Sequence, residues 1–344
     1  MQREIANARV SIDRRRMLAG LAAAALAVPV RPVFARQDGA TPAASADGGW
    51  TFTDDRGITL DLPQRPERIV AQVTAAAALW DYGIRPIAVV GPQRLADGTP
   101  DPMAGAIDLD AVESLGEVWG EFDVELLASL APDLFVSQSY GPAFPLWYIP
   151  DEAAEAAIEA IVPTVGVLVQ DVPIVQPIAR FAELAAALGA DMDAPEVVAD
   201  KERFDRAVED LRAAIAEKPD LTVIALGGLP EELYIADPAV AADLVFFREL
   251  GMNVVAPQNP DGFWESLSWE EANTYPADLI LNDARVQSLS PEQLAEIPTW
   301  RELPAVKAGQ VADWNLEPVY SYRGYAPVLE DLAAVIRSAR EDVV

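Results

Sequence analysis

The chain contains no histidine and no cysteine, so its chemically active side chains are carboxylates, tyrosines, lysines and arginines. This composition excludes Ser-His-Asp hydrolysis, cysteine nucleophiles and metal sites built from histidine or cysteine. A hydrolase that uses two carboxylates, as glycosidases do, stays open as an alternative. No two acidic residues, however, show a spacing typical of such a pair. Binding is therefore favoured over catalysis, and a surface interaction protein without a small ligand is a further alternative.

Two glutamates occupy matching places in the two halves of the sequence. Glu125 and Glu270 each stand in the first turn of a predicted helix, eight residues before an aspartate that opens an apolar strand. Those aspartates are Asp133 and Asp278. A carboxylate in the first helical turn is stabilised by the helix dipole. Exposed carboxylates at equivalent points of two halves could instead dock with cationic pockets of a partner, and both interpretations stay open here.

Short apolar strands alternate with helices from Trp50 onward, which is typical of parallel sheets covered by helices on both faces. A hairpin at Trp50–Leu60 opens this region. Apolar residues at helical spacing from Ile174 to Leu188 predict a helix between the two halves. We therefore expect an α/β fold of two lobes, each a mostly parallel sheet flanked by helices, joined by one long helix. The expected divisions are an N-terminal lobe at 50–171, the interlobe helix at 172–190 and a C-terminal lobe at 191–344.

The chain is strongly acidic, with 25 basic and 55 acidic residues and a formal net charge of −30. Such a surface repels nucleic acid and anionic lipid headgroups, so we expect no nucleic-acid partner. A length of 344 residues, of which 51% are hydrophobic, is enough for two domains with substantial cores.

The first 35 residues have the composition of a cleavable export signal. Arg14 and Arg15 precede an apolar run, Met17–Val30, and Val33-Phe34-Ala35 supplies a cleavage site. The arginine pair is similar to a twin-arginine signal, with an ordinary Sec signal as the alternative. Residues 36–49 are small and polar and predict a flexible linker. The absence of cysteine excludes a lipid anchor on an N-terminal cysteine, so we expect an exported protein, periplasmic or on the extracellular face.

Several motifs in the right order resemble those of periplasmic siderophore and cobalamin binding proteins of ABC importers. The resemblance extends from about Trp50 to Arg340. The motifs that carry it are Phe52–Gly57, Arg65–Val70, Asp123–Leu134 and Trp300–Val311. It implies two α/β lobes bridged by one long helix, a ligand cleft between the lobes, and a monomer that is not an enzyme.

The resemblance also implies cargo and partner. The protein would capture a ferric siderophore, with cobalamin or haem as alternatives in the same fold, and deliver it to the permease dimer of an ABC importer. Glu125 and Glu270 match the glutamates that contact permease arginines in the family. The lack of histidine argues against the related zinc and manganese receptors. No cofactor is expected, and iron would enter only as part of the chelate.

A chelate cleft should be lined by aromatic side chains with a few polar anchors. Tyr140-Gly141-Pro142 looks like the Tyr-Gly-Pro of hydroxamate-siderophore receptors, although those receptors carry an arginine where this chain has Trp119, so the cargo class stays open. Arg323 would donate a charge-assisted hydrogen bond to an anionic chelate oxygen. Core packing is the alternative for each aromatic residue. The expected ligand-binding set is Trp119, Tyr140, Trp147, Tyr148, Trp264, Tyr322 and Arg323.

Overall fold

The computed structural model describes residues 49–141, 144–285 and 287–344. The predicted export signal with Arg14 and Arg15, and the linker apart from its last residue, lie outside the described residues. Within those ranges, no helix is both long enough and apolar enough to cross a membrane.

The described chain opens with the predicted hairpin, formed by antiparallel strands β1 (Trp50–Thr53) and β2 (Thr59–Leu62). The turn is closed by Asp54, whose carboxylate accepts the backbone N–H of Arg56 at 3.0 Å. The same carboxylate pairs with Arg56 Nε at 2.7 Å and accepts the N–H of Gly166 at 2.9 Å. This aspartate therefore fastens the hairpin to the edge of the first sheet.

The first sheet has five parallel strands in the order β5-β4-β3-β6-β7. Its central strands are buried along their whole length, because helices cover both faces. The strands are β3 (Ile69–Gln72), β4 (Ala88–Val90), β5 (Glu113–Ser114), β6 (Leu134–Ser139) and β7 (Thr164–Leu168).

The second sheet follows the path β11-β9-β8-β12-β13, with β10 beside β8. Strands β9 and β11 are antiparallel to their neighbours, an addition that the sequence analysis did not predict. The strands are β8 (Thr222–Gly228), β9 (Glu232–Ala236), β10 (Asn253–Val254), β11 (Trp264–Ser268), β12 (Leu279–Asp283) and β13 (Val311–Trp314). Together the two sheets confirm the predicted fold class.

The helices are arranged on the faces of these sheets. They are α1 (Val73–Asp81), α2 (Val124–Leu130), α3 (Glu152–Glu159), α4 (Val175–Ala187), α5 (Pro195–Glu217), α6 (Ala242–Glu249), α7 (Pro291–Ala295), α8 (Pro298–Glu302), α9 (Pro304–Ala308) and α10 (Tyr322–Ser338). The helix predicted after Ser268 is a short 3₁₀ turn, Trp269–Glu271, closed by a capping box between Ser268 and Glu271.

Helix α4 occupies the segment predicted to join the lobes, but it packs on the first lobe. The indole Nε1 of Trp50 donates to the carbonyl of Ala187 at 2.9 Å, and Arg180 pairs with Asp55 at 2.8 Å. Helix α5 is longer, at 23 residues or about 34 Å. It packs against α10, where the rings of Phe204 and Tyr322 lie 5.4 Å apart. The longest helix is therefore α5, and the interlobe helix at 172–190 and the lobe boundaries stay predictions.

The parallel strands bring their carboxyl ends to one edge of each sheet. In the first lobe, β3 and β6 end at Gln72 and Ser139, and in the second β12 ends at Asp283. Open α/β sheets place their functional side chains just beyond such edges. The residues after β6, β12 and β13 are therefore where a site is expected.

Candidate functional site

Aromatic side chains gather beyond the carboxyl end of β6. The ring of Trp147 lies 4.8 Å from the rings of both Trp119 and Tyr140, and the ring of Tyr148 lies 5.5 Å from that of Trp119. All four were predicted as ligand-binding residues, and the structure brings them together. Trp119 is at the rim, with 41% of its surface exposed.

The loop after β6 folds back onto that strand, and this return positions Trp147. Its backbone N–H donates to the carbonyl of Gln138 at 3.0 Å, and its carbonyl accepts from Ser137 Oγ at 2.8 Å. Tyr148 follows in the left-handed region, with φ of 68°, which is unusual for a bulky residue. This backbone turn brings the Tyr148 ring edge-on to Trp119 and Trp147.

The aromatic contacts continue into the second lobe. Tyr140 meets Phe263 at a ring distance of 6.1 Å, and Phe263 meets Trp264 at 5.7 Å. Trp264 in turn lies 4.7 Å from Tyr234 and 6.2 Å from Trp314. We call the continuous set the aromatic cluster. Its members are Trp119, Tyr140, Trp147, Tyr148, Tyr234, Phe263, Trp264 and Trp314.

A buried ion triad of Asp283, Arg285 and Glu317 lies against this cluster. Arg285 Nη2 pairs with Asp283 at 2.7 Å and Nη1 pairs with Glu317 at 2.7 Å, and the three side chains are 0–9% exposed. Burial lowers the pKa of Arg285, but hydrogen bonds and charges from the two carboxylates outweigh it and raise that pKa above its ordinary value. The guanidinium therefore stays charged and is engaged on both sides.

The triad connects with both lobes through hydrogen bonds. Glu317 accepts from the indole Nε1 of Trp147 at 2.8 Å, and Asp283 accepts from the hydroxyl of Tyr234 at 2.9 Å. The side chain of Tyr234 passes over Gly227 to reach Asp283. A Cβ added at position 227 would lie 2.4 Å from the tyrosine oxygen, so only glycine leaves room for this contact. Burial and the charge of Asp283 raise the pKa of Tyr234, so its hydroxyl remains a proton donor.

A chain of buried polar side chains links Tyr140 to helix α1. The Tyr140 hydroxyl donates to Gln138 Oε1 at 3.4 Å, and Gln138 Nε2 donates to Thr74 Oγ1. Thr74 Oγ1 donates to Gln72 Oε1 at 2.9 Å. Gln72 Oε1 also accepts from the backbone N–H groups of Thr74 and Ala75 and so caps the first turn of α1. Burial first, and then the charge of Glu317, raise the pKa of Tyr140 well above its ordinary value.

Behind the cluster, the indole of Trp314 donates to the buried carboxylate of Asp243 at the start of α6. Burial raises the pKa of Asp243 to about 6, although hydrogen bonds from Trp314 and from the backbone of Leu244 oppose the rise. Asp243 therefore titrates closer to neutral pH than an ordinary aspartate.

Comparison with known proteins identifies the family of this chain. The family model described as "Periplasmic binding protein" matches residues 89–317. This chain belongs to that family. This match confirms the motif resemblance. The members of the family are substrate-binding proteins.

Individual relatives of this binding protein are receptors for iron compounds. The crystal structure of DesE, a ferric-siderophore receptor protein from Streptomyces coelicolor, is 41% identical over 85% of this chain and 99% of that chain, with a TM-score of 0.81. The Fe(3+)-citrate-binding protein YfmC of Bacillus subtilis is 21% identical, covering 79% of this chain and 80% of its own. The siderophore periplasmic binding protein of the Thermobifida fusca fuscachelin cluster, 24% identical, covers 80% of this chain and 98% of its own with a TM-score of 0.57, and shows the shared fold.

Two predicted ligand residues of the binding protein lie apart from the aromatic cluster. Tyr322 and Arg323 are the first residues of α10, where Ser321 caps the helix and donates to Asp81 at 2.5 Å. Asp81 is the last residue of α1, about 13 Å along the helix from its start beside Gln72. The ring of Tyr322 packs on Tyr82 and Phe204 instead. The structure therefore does not bring these two residues into the aromatic cluster, and their role in ligand binding stays a prediction.

Local sequence patterns did not indicate the triad or several of the rings. Trp264, one of the predicted ligand residues, begins β11. A signal for Arg285 was present, because Asp283-Ala284-Arg285 directly follows the carboxyl end of a predicted parallel strand. No local signal marked Glu317, whose partners Trp147 and Arg285 are remote in sequence. The missed members are Tyr234, Phe263, Asp283, Arg285, Trp314 and Glu317.

The two glutamates proposed for docking are both exposed on the binding protein. Glu125 lies in the first turn of α2, which Asp123 caps through the N–H of Leu126 at 2.8 Å. Glu270 lies in the 3₁₀ turn after β11. Among the described residues, neither carboxylate forms a salt bridge, so both are available to a partner. Their role in docking stays a prediction.

Proposed function

We propose that this protein captures a ferric siderophore, or a similar iron chelate, in the cleft between its two lobes and delivers it to an ABC importer. The observation that carries the proposal is the aromatic cluster with its embedded ion triad. Rings from both sheets meet at the carboxyl edges, where a lipophilic chelate can stack, and the buried polar groups can orient it.

Iron enters this site as part of a chelate and not as a bare ion. Direct ligation by a tyrosine requires the phenolate, but burial raises the pKa of Tyr140 and Tyr148, with the charge of Glu317 acting in the same direction. Their hydroxyls are therefore suited to donate hydrogen bonds to chelate oxygens. The carboxylates of Asp283 and Glu317 are already occupied by Arg285.

Binding, and not catalysis, is the function that this geometry favours. A carboxylate-dependent hydrolase needs one carboxyl group that holds a proton and another that is free to attack or to activate water. Asp283 and Glu317 instead share one guanidinium at 2.7 Å on each side. Both carboxylates are further occupied by the hydroxyl of Tyr234 and the indole of Trp147, so neither is free to attack a substrate or to activate water.

The relatives support the cargo and the setting. DesE, at 41% identity, is named a ferric-siderophore receptor, and YfmC is named an Fe(3+)-citrate-binding protein. Export to the periplasm or extracellular face and docking on a permease dimer through Glu125 and Glu270 complete the proposed transport role. The protein acts in it as a monomer.

Titration of the purified protein with ferric siderophores, followed by tryptophan fluorescence, tests the proposal. Trp119 is at the rim and tolerates truncation, so Trp119→Ala should fold and should weaken binding by about 1–3 kcal/mol. Trp80→Phe, on α1 beside Arg85, serves as the matched control because it lies outside the aromatic cluster. If Trp119→Ala and Trp264→Ala both bind the siderophore as tightly as the wild type, the ligand does not bind at the aromatic cluster.

A further inference from the structure

The charges that surround the aromatic cluster are mainly acidic. The charged groups that most affect the pKa values of the Tyr140, Tyr148 and Tyr234 hydroxyls are three carboxylates and one guanidinium. They are Glu317, Asp283, Asp101 and Arg285. Any ligand that stacks on these rings therefore meets a local field with more negative than positive charge.

The charge of Arg285 is already neutralised by its neighbours. Asp283 takes Nε at 2.9 Å and Nη2 at 2.7 Å, and Glu317 takes Nη1 at 2.7 Å. An arginine that recognises an anion offers it an uncompensated charge and a free fork of N–H donors. Here one guanidinium lies between two carboxylates, so the triad as a whole carries one net negative charge.

We infer that the cleft selects iron(III) chelates of neutral or positive overall charge and discriminates against polyanionic ones, with Glu317 as the residue that sets this preference. The inference rests on the proposed function. Three hydroxamates, each with one negative charge, balance Fe³⁺, whereas three catecholates, each with two, leave a trianion. A trianion beside this triad is repelled in a poorly solvated site where charge interactions are strong.

Glu317, more than Asp283, is placed to act on the ligand. The Asp283 side chain is 0% exposed and is enclosed by Arg285 and by the hydroxyl of Tyr234. Glu317 is the carboxylate that acts on the first-lobe rings, because it accepts from the indole of Trp147 at 2.8 Å and its charge also affects the hydroxyls of Tyr140 and Tyr148. Removing its charge would leave Arg285 with a single carboxylate and would make the triad neutral overall.

Salt separates this local effect from the charge of the whole protein. The formal net charge of −30 also attracts cations, but over distances that salt screens. A preference set by the buried triad should persist at high ionic strength, where the Debye length falls to about 3 Å at 1 M salt. Titrations at low and high salt therefore distinguish selection in the cleft from steering at the surface.

The test uses iron(III) complexes that differ in charge. The probes are a linear tris-hydroxamate with a free terminal amine, its neutral N-acetyl form, a tris-catecholate and ferric citrate. We expect the cationic and neutral complexes to bind the wild type at least about tenfold more tightly than the tris-catecholate, at both low and high salt. Glu317→Gln keeps a hydrogen-bond acceptor for Trp147 and should reduce that ratio by about tenfold.

Two further variants isolate the cause. Asp313→Asn removes the same charge from an exposed site nearby on β13 and should leave the ratio unchanged. Trp147→Phe removes the hydrogen bond to Glu317 but keeps the carboxylate, so it should weaken all complexes alike. Equal binding of the trianionic and cationic complexes by the wild type overturns the inference and leaves the proposed function intact. Binding of none of these complexes by folded protein overturns both. A folded Glu317→Gln protein that keeps the wild-type ratio overturns the role of Glu317. If that variant does not fold, the wild-type series at low and high salt decides whether the buried triad or the surface charge sets the preference.

Discussion

Trp147 and Glu317 are 170 positions apart in the sequence, yet the indole Nε1 of one donates to the carboxylate of the other at 2.8 Å. Trp147 is held by the strand β6 of the first sheet, and Glu317 follows β13 of the second. This bond joins the carboxyl edges of the two sheets at the place where the aromatic cluster and the ion triad meet.

Trp147→Phe should therefore weaken ligand binding by about tenfold while leaving the fold intact. The phenyl ring retains most of the packing, but the buried carboxylate of Glu317 loses the hydrogen bond donated by the indole. A hydrogen bond to a charged group contributes about 1.5–3 kcal/mol. Fluorescence titration of a ferric siderophore against this variant and against Trp80→Phe measures the effect. A loss of the same size in both variants would mean that the Trp147 bond has no special role.

Gly227→Ala should displace Tyr234 and destabilise the protein by about 1–3 kcal/mol. The added Cβ would lie 2.4 Å from the hydroxyl oxygen of Tyr234. The Tyr234 side chain is held in place by its hydrogen bond to Asp283 and by packing on the ring of Trp264. Denaturant unfolding of the wild type, Gly227→Ala, Tyr234→Ala and the double variant forms a cycle. If the glycine is required by the tyrosine, the cost of alanine at 227 should largely disappear when Tyr234 is truncated. Additive costs would contradict this explanation.

Asp243 should make the free energy of unfolding depend on pH. Its folded-state pKa is raised by burial to about 6 from an ordinary 3.8, so the folded state binds the proton more tightly than the unfolded chain. Through this group, stability is therefore greatest below about pH 4 and falls as pH rises to about 6. The difference in stability between Asp243→Asn and the wild type should shift in favour of the variant by about 3 kcal/mol across that window. Parallel pH profiles for the two proteins would rule out the assignment.

Changing Glu125 and Glu270 to alanine should reduce uptake through the cognate importer without changing folding or ligand affinity. Both carboxylates are exposed and lie away from the aromatic cluster, and rim charges act mainly on association. Reconstituted transport with each single variant and the pair measures the effect, which should be largest in the pair and sensitive to salt. Glu196→Ala with Glu249→Ala is the control for loss of two exposed charges. Normal uptake by the Glu125/Glu270 pair would exclude the docking role.

The export signal predicts a mature N-terminus near Arg36. Replacing both Arg14 and Arg15 by lysine should abolish export if the twin-arginine route is used, whereas a Sec signal tolerates that change. N-terminal sequencing of the exported protein and fractionation of cells that express the double variant provide the two measurements. An exported chain that still begins at Met1 would disprove cleavage.

Local patterns predicted the hairpin and the alternation of buried strands with helices, because each is encoded by neighbouring residues. The alternation around Asp54 and Gly57 specified the turn, and apolar runs specified buried parallel strands. The start of α10 depends on more than local pattern, because its cap Ser321 accepts from the N–H of Gly324 and, across the fold, donates to Asp81.

The sequence by itself determined the α/β class, the lack of histidine and cysteine chemistry, and five aromatic residues that do meet in space. Those properties depend on composition and on spacing within short segments. Only the tertiary structure decided that Arg285 and not Arg323 lies beside the cluster, and that Glu317 joins Trp147 to the triad. Such contacts connect strands that are far apart in the chain, and their geometry is set by the packing of two sheets. No local periodicity encodes that packing.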